Sequence, residues 1–181
     1  MRIISGSHRG KMIIPGKGFD ARPTTDFAKE SLFNILTNKL DFEEVEVLDL
    51  FSGTGGISFE FASRGAKHIV SIESNHKHAA FIQKTANDLK FAQMHIYKTN
   101  VFVFLKNCAH KYDLIFADPP YDMEGVETLP DLILSKDILK EDGIFILEHA
   151  KKLQFTGHPN LTDHRNYGSV NFSFFSGEKK I

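Results

Sequence analysis

Short apolar runs and amphipathic stretches alternate along most of the chain. Val45 to Phe51, Ile69 to Glu73, His95 to Lys98 and Leu114 to Ala117 read as strands. The intervening stretches 56–64, 75–90 and 101–107 space their apolar residues as helices do, and another helix is expected around 128–136 before a last strand, Ile144 to Glu148, that follows an Asp142-Gly143 turn. Strand and helix in strict alternation predict a mostly parallel, doubly wound α/β sheet covered on both faces.

The two ends depart from that rhythm. Residues 2–5 and 10–14 are β-prone pieces joined by Gly6-Ser7-His8-Arg9-Gly10, which predicts a small basic-tipped hairpin. A loop with Pro15, Gly16 and Gly18 follows, and then Thr25 or Asp26 can cap a helix through Leu36, with Leu32, Ile35 and Leu36 at helical spacing. Residues 161–176 read as β without an intervening helix, so the sheet should finish in an antiparallel hairpin. One domain over 1–181 is expected, with 1–20 as an amino-terminal hairpin extension and 21–181 as the core.

Composition narrows the partners. Net charge is -1, so any nucleic-acid surface must be local. Residues 1–30 carry Arg2, Arg9, Lys11, Lys17, Arg22 and Lys29 against Asp20, Asp26 and Glu30, which makes the amino terminus the positive end. A single cysteine, Cys108, without a CxxC partner fits a reducing, cytoplasmic setting. No apolar run approaches the ~18 to 20 residues that span a bilayer, so neither export nor membrane insertion is expected. No two of the nine histidines stand four residues apart, and no metal site is expected.

Val47-Leu48-Asp49-Leu50-Phe51-Ser52-Gly53-Thr54-Gly55-Gly56 puts glycines directly after a strand and before a helix. Glycine there lets the backbone turn tightly and approach a ligand that a Cβ would hit. Glu73, at the end of the next strand, is placed to accept hydrogen bonds from both hydroxyls of a ribose. The same stretch also allows a ligand-free turn or an NAD site. GxGG instead of GxGxxG, with Asp49 four residues ahead of the first glycine, suits a cofactor with a cationic amino-acid tail better than a pyrophosphate. Asn100, after the His95–Lys98 strand, either sits beside an adenine or caps the helix at 101, or does both.

Asp118-Pro119-Pro120-Tyr121 follows the strand Leu114 to Ala117. Two prolines stiffen the loop and withhold two backbone donors, so Asp118 and the nearby carbonyls form a fixed set of acceptors beside an aromatic ring. Those parts suit an aromatic amine: its N–H groups find acceptors and Tyr121 stacks on the base. A base amino nitrogen is a poor nucleophile, whereas a sulfonium methyl is a strong electrophile, so alignment at roughly 3 to 3.5 Å is the main task. Asp118 would stabilise the charge that develops on nitrogen, and the proton would leave to Asp118 or to water. Neither a metal nor a covalent intermediate is needed. The plainer alternative is an Asp118 that caps a turn and a Tyr121 packed in the core.

Asp49-x-Phe51-x-Gly53-x-Gly55 resembles the first motif of class I S-adenosylmethionine-dependent methyltransferases, which have a Rossmann-like fold. The resemblance implies that Asp49, Phe51, Gly53 and Gly55 belong to the cofactor site, with the two glycines along the methionine part, Glu73 on the ribose and Asn100 by the adenine. The tetrapeptide at 118–121 is similar to the [DNS]PP[YFW] motif of enzymes that methylate adenine N6, guanine N2 or glutamine N5. Its aspartate implies a base.

A fuller resemblance, to the RsmD family of 16S ribosomal RNA guanine-N2 methyltransferases, covers almost the whole chain. It rests on Arg2-Ile3-Ile4-Ser5-Gly6, Arg9-Gly10-Lys11, Arg22-Pro23-Thr24-Thr25-Asp26, Lys29 to Asn34, the glycine motif, Ser63-Arg64-Gly65-Ala66, Asp118 to Tyr121 and Tyr167-Gly168. It implies that Arg22 to Thr25 form a lid, with Thr24 and Thr25 near the cofactor carboxylate, and that Arg2, Arg9, Lys11 and Arg22 grip RNA. Phe27 and Lys29 stand where family members often have Arg, which weakens any phosphate contact at those two positions.

The expected enzyme is a monomer that acts on guanine N2 of small-subunit ribosomal RNA, within an assembly particle, with S-adenosylmethionine as cofactor. Adenine-N6 methylation of DNA or RNA, and a non-catalytic nucleotide- or RNA-binding module, are the competing readings.

Overall fold

The computed structural model describes residues 1–16, 19 and 25–177. Its elements run α1 (Asp26–Thr37), β1 (Glu46–Leu50), α2 (Gly56–Ser63), β2 (His68–Glu73), α3 (His76–Asp88), β3 (Met94–Lys98), α4 (Val101–Asn107) and β4 (Tyr112–Ala117). After a 3-10 turn at Val126–Thr128 come α5 (Leu129–Ser135), β5 (Leu139–His149), β6 (Leu161–Tyr167) and β7 (Val170–Ser176). One seven-stranded sheet has the order β3-β2-β1-β4-β5-β7-β6. The first five strands pair in parallel and the last two join antiparallel, as the sequence pattern predicts.

Period-two alternation builds two cores. Val47, Ile69, Leu114, Phe116 and Ile146 face α1, α2 and α3, while Leu48, Leu50, Val70, Ile72, Ile115 and Leu147 face α4 and α5. A strand covered on both faces gains nothing from a polar side, hence the nearly unbroken apolar runs.

One local expectation changes. The last parallel strand begins at Leu139, five residues before the expected Ile144, and Asp142-Gly143 lies inside it. Leu139 pairs with Tyr112, the chain detours with Asp142 at φ 62°, and pairing resumes between Ile144 and Leu114. A Cβ on Gly143 would stand 2.8 Å from the Lys140 carbonyl oxygen, so the detour is too tight for a side chain there. Toward the amino terminus the expected hairpin forms around the Arg2–Met12 bridge, with the Ile3 N–H donating to the Lys11 carbonyl, the Gly10 N–H to that of Ile3 and the Ile13 N–H to that of Met1, and its body is clamped to the core.

The clamp is a buried carboxylate. Glu60 of α2 accepts the backbone N–H groups of Ile4 (2.8 Å) and Ser5 (3.0 Å) and pairs with Arg64 (2.9 Å) and Lys29 (3.7 Å). Ser63 Oγ donates to the Ser5 carbonyl and accepts from the His8 N–H. Gly6, at φ +82°, lies so close to the Ser63 carbonyl that a Cβ would fall 1.8 Å from its oxygen. Ile3 and Ile13 thereby join the core.

Candidate active site

Sheet order reverses between β1 and β4, so the loops leaving their carboxyl ends part to opposite sides and leave a crevice. Leu50 and Ala117, the last residues of these strands, are registered partners. The glycine turn and the Pro-Pro turn therefore emerge side by side. Between them opens a cavity of about 500 Å³, within the range that holds a nucleoside-sized ligand.

Most of the residues singled out in the sequence line that cavity: Thr25, Phe51, Gly53, Glu73, Asn100 and the whole of Asp118 to Tyr121. Thr25 is the N-cap of α1, its side chain accepting from the Ala28 N–H. Phe51 and Gly53 both take positive φ, 60° and 55°, as the chain swings off β1. The Gly53 N–H donates to Glu73 Oε2 (2.8 Å) and the Asn75 N–H to Oε1 (2.7 Å). Each carboxylate oxygen can accept more than one hydrogen bond, so Glu73 is fixed in place with capacity left for a ribose diol. Asn100 caps α4 through the N–H groups of Phe102 and Val103, and it also reaches the cavity wall.

Other predicted residues lie elsewhere. Asp49 is buried and absent from the lining; its Oδ2 accepts from Ser58 Oγ (2.5 Å), which also bonds Ser71 Oγ. Gly55 is the left-handed N-cap of α2, packed against Phe59 and Ile82. Arg9 and Lys11 are exposed, and Arg2 pairs with Asp26 at 3.6 Å. Arg22 and Thr24 fall outside the described residues. Lys29 is buried against Glu60 and hydrogen-bonded to the Arg2 carbonyl, so it belongs to the interior and not to a phosphate-binding face.

The sequence reading missed Glu148. It is 2 % exposed and lines the cavity at the end of β5, where the register Ala117 with Leu147 sets residue 148 next to Asp118. The signal was available, since ligands of such sheets gather at strand carboxyl ends. Ser169, in the β6–β7 turn, and Val170, which opens β7, were also missed and lack any such signal.

Electrostatics give the cavity a sign. Burial, the neighbouring Glu148 and Asp49 together push the Asp118 carboxyl well above its usual range. Burial pushes Asp49 up to about 7, against the opposing hydrogen bonds from Ser58 and Ser52. Crowded buried carboxyls that resist ionisation are relieved by a cation. S-adenosylmethionine fits this wall: a ribose diol for Glu73, Ile72 and Val101 for an apolar ring face, and carboxylates for its positive charges.

Comparison with known proteins agrees. A family model described as "Conserved hypothetical protein 95" matches residues 1–176. The chain is 32% identical, over 97% of its length and 98% of the relative's, to the Bacillus subtilis protein named "Putative rRNA methyltransferase YlbH". It is 30% identical to the "Ribosomal RNA small subunit methyltransferase D" of Buchnera aphidicola subsp. Baizongia pistaciae, over 84% of this chain and 78% of that one. Among solved structures, Haemophilus influenzae "putative methylase HI0767" superposes with a TM-score of 0.77 at 28% identity, covering 96% of each chain.

Proposed function

The chain belongs to the conserved hypothetical protein 95 family, within the class I S-adenosylmethionine-dependent methyltransferases related to RsmD, and from that premise we propose that it methylates guanine N2 in small-subunit ribosomal RNA. The observation that carries the reading is the meeting of Gly53, Glu73 and the Asp118-Pro119-Pro120-Tyr121 loop on one cavity. Its relatives' names supply the ribosomal RNA.

When bound, S-adenosylmethionine supplies an electrophilic methyl group; the protein's own residues supply placement. Glu73 holds the ribose, and Phe51 and Gly53 shape the turn against which the methionine part lies. Asp118 and the adjacent carbonyls, stiffened by two prolines, accept the N–H groups of the base amine. Tyr121, 45% exposed at the rim, offers a face on which the base stacks. A paired base must first leave its stack, which costs a few kcal/mol and favours a loop or a partly assembled subunit as substrate. Arg2, Arg9, Lys11 and Arg22 are the proposed RNA contacts. We place this work in the cytoplasm, carried out by a monomer.

The test incubates the protein with methyl-labelled S-adenosylmethionine and either unmodified small-subunit particles or duplex DNA, then digests to nucleosides. Label in N2-methylguanosine is expected. Label in N6-methyladenosine would replace guanine N2 with adenine N6 as the target.

A further inference from the structure

We propose that Phe27, backed by Tyr167, is a stacking platform for an unpaired RNA base that flanks the base being methylated. The proposal rests on the ribosomal RNA reading and adds a contact to a base, where the basic residues of the hairpin supply contacts to phosphate.

The apolar stripe of α1 runs through Ala28, Leu32, Phe33 and Leu36, all of them buried. Phe27 stands off that stripe, and it is 67% exposed. A single exposed apolar side chain is ordinary, but the setting of this one is not. Its ring centroid lies 6.0 Å from that of Tyr167, with the planes 81° apart. Tyr167, the last residue of β6, packs on Phe172 at 6.1 Å, and Phe172 packs on the buried Phe116 of β4 at 6.4 Å. Four rings thus form a ladder from the strand that carries the Asp118 loop out to Phe27. An edge-to-face contact orients the ring while engaging an edge or a single face of it, so the exposed Phe27 keeps a π-face for stacking.

The platform adjoins the cavity through both of its elements. Thr25, the N-cap two residues before Phe27, lines the cavity, and so do Ser169 and Val170, which follow Tyr167 closely in the chain. Tyr121 reaches the same cavity from the Pro-Pro loop. A base on Tyr121 and a base on Phe27 therefore belong to one strand that crosses the cavity mouth. Extruding the target base deprives its neighbour of a stacking partner, and an aromatic side chain replaces that partner. Such a ring accepts any base, because every base has a π-face. Asp26, next to Phe27 in the chain, pairs with Arg2 at 3.6 Å, and the Arg2 side chain is 48% exposed. That guanidinium stands ready for an adjoining phosphate. With Thr25, Asp26 and Arg2 as its neighbours, the ring has polar and charged surroundings, which favour a nucleotide over an apolar protein face.

The chain contains no tryptophan, so Phe27→Trp puts a lone indole fluorophore on the platform. The probe is unmodified small-subunit ribosomal RNA free of protein, with methyl transfer, calorimetry with S-adenosylmethionine and thermal melting recorded alongside. Saturating RNA should quench the fluorescence of Phe27→Trp. Phe27→Ala should raise Kd and KM for RNA about 10-fold while kcat stays within about 2-fold of wild type. Its cofactor affinity and melting temperature should not change. The slope of log affinity against log salt should also match wild type, because a stacking contact releases no counterion. Wild-type RNA affinity in Phe27→Ala, a loss of affinity with a flatter salt slope, or Phe27→Trp fluorescence indifferent to RNA each overturns the proposal. Should Phe27→Ala fail to fold, the fluorescence of Phe27→Trp decides. Quenching by particles that carry ribosomal proteins but not by free RNA would mean that the ring meets protein, and the proposal fails. A wild type that binds neither free RNA nor particles would sink the RNA reading itself, whereas normal binding by both wild type and Phe27→Ala sinks the platform alone.

Discussion

The Gly53 N–H donates to Glu73 Oε2 at 2.8 Å, joining the turn after β1 to the end of β2. The glycine turn and the Glu73 carboxylate, proposed to hold the ribose, are thus one rigid unit. Glu73→Ala should therefore damage both, since it removes the acceptor for a ligand and leaves the Gly53 and Asn75 N–H groups without their partner. Cofactor affinity measured by calorimetry should fall by about 2 to 3 kcal/mol, with Glu73→Gln falling less.

Lys29→Met should destabilise the fold by about 3 kcal/mol, because it strips a cation from the buried Glu60 carboxylate. Burial lowers the Lys29 pKa, against the favourable pull of Glu60 and Asp26, which accords with an interior ion pair. Urea denaturation gives the loss. RNA affinity of the folded fraction should stay unchanged, which separates this structural role from a phosphate contact.

Gly6→Ala should cost about 3 kcal/mol, since a methyl group at φ +82° would strike the Ser63 carbonyl. Gly10→Ala makes the control: φ is also +82°, but nothing lies within 4 Å. Strain alone there should cost about 1 kcal/mol. Equal losses in a denaturant titration would mean that the hairpin is not docked on α2.

Much of this architecture is legible in the sequence because it is repetitive physics. Apolar runs such as Leu114 to Ala117 can hardly be other than buried strands, and Gly53 and Asp118 announce themselves by residue type. Glu148 carries only a positional signal, the carboxyl end of a strand, and Lys29 carries none. A glutamate in Ile-Leu-Glu-His and a lysine in Ala-Lys-Glu-Ser look solvated until β4, β5 and α2 are brought together. Asp49 shows the converse: the motif predicts a cofactor residue, whereas its carboxyl is spent on Ser58 beneath the cavity floor.

Stability and cofactor affinity should move oppositely with pH. Folded Asp49 keeps its proton up to about 7, while in the unfolded chain it ionises near the ordinary carboxyl value of 3.8. Between those values the folded state binds more protons, so stability falls as pH rises through the window. Asp49→Asn should flatten that slope in melts recorded across the same range. A bound cation favours the ionised carboxyls, so S-adenosylmethionine affinity should rise over the interval in which wild-type stability declines.

The claim that the two turns share one ligand is tested most directly by nuclear Overhauser contacts from the 13C-labelled methyl group of bound S-adenosylmethionine. Contacts to Gly53 on one side and to Pro119, Pro120 or the Tyr121 ring on the other are predicted. A methyl group that is bound yet touches neither turn would contradict the account.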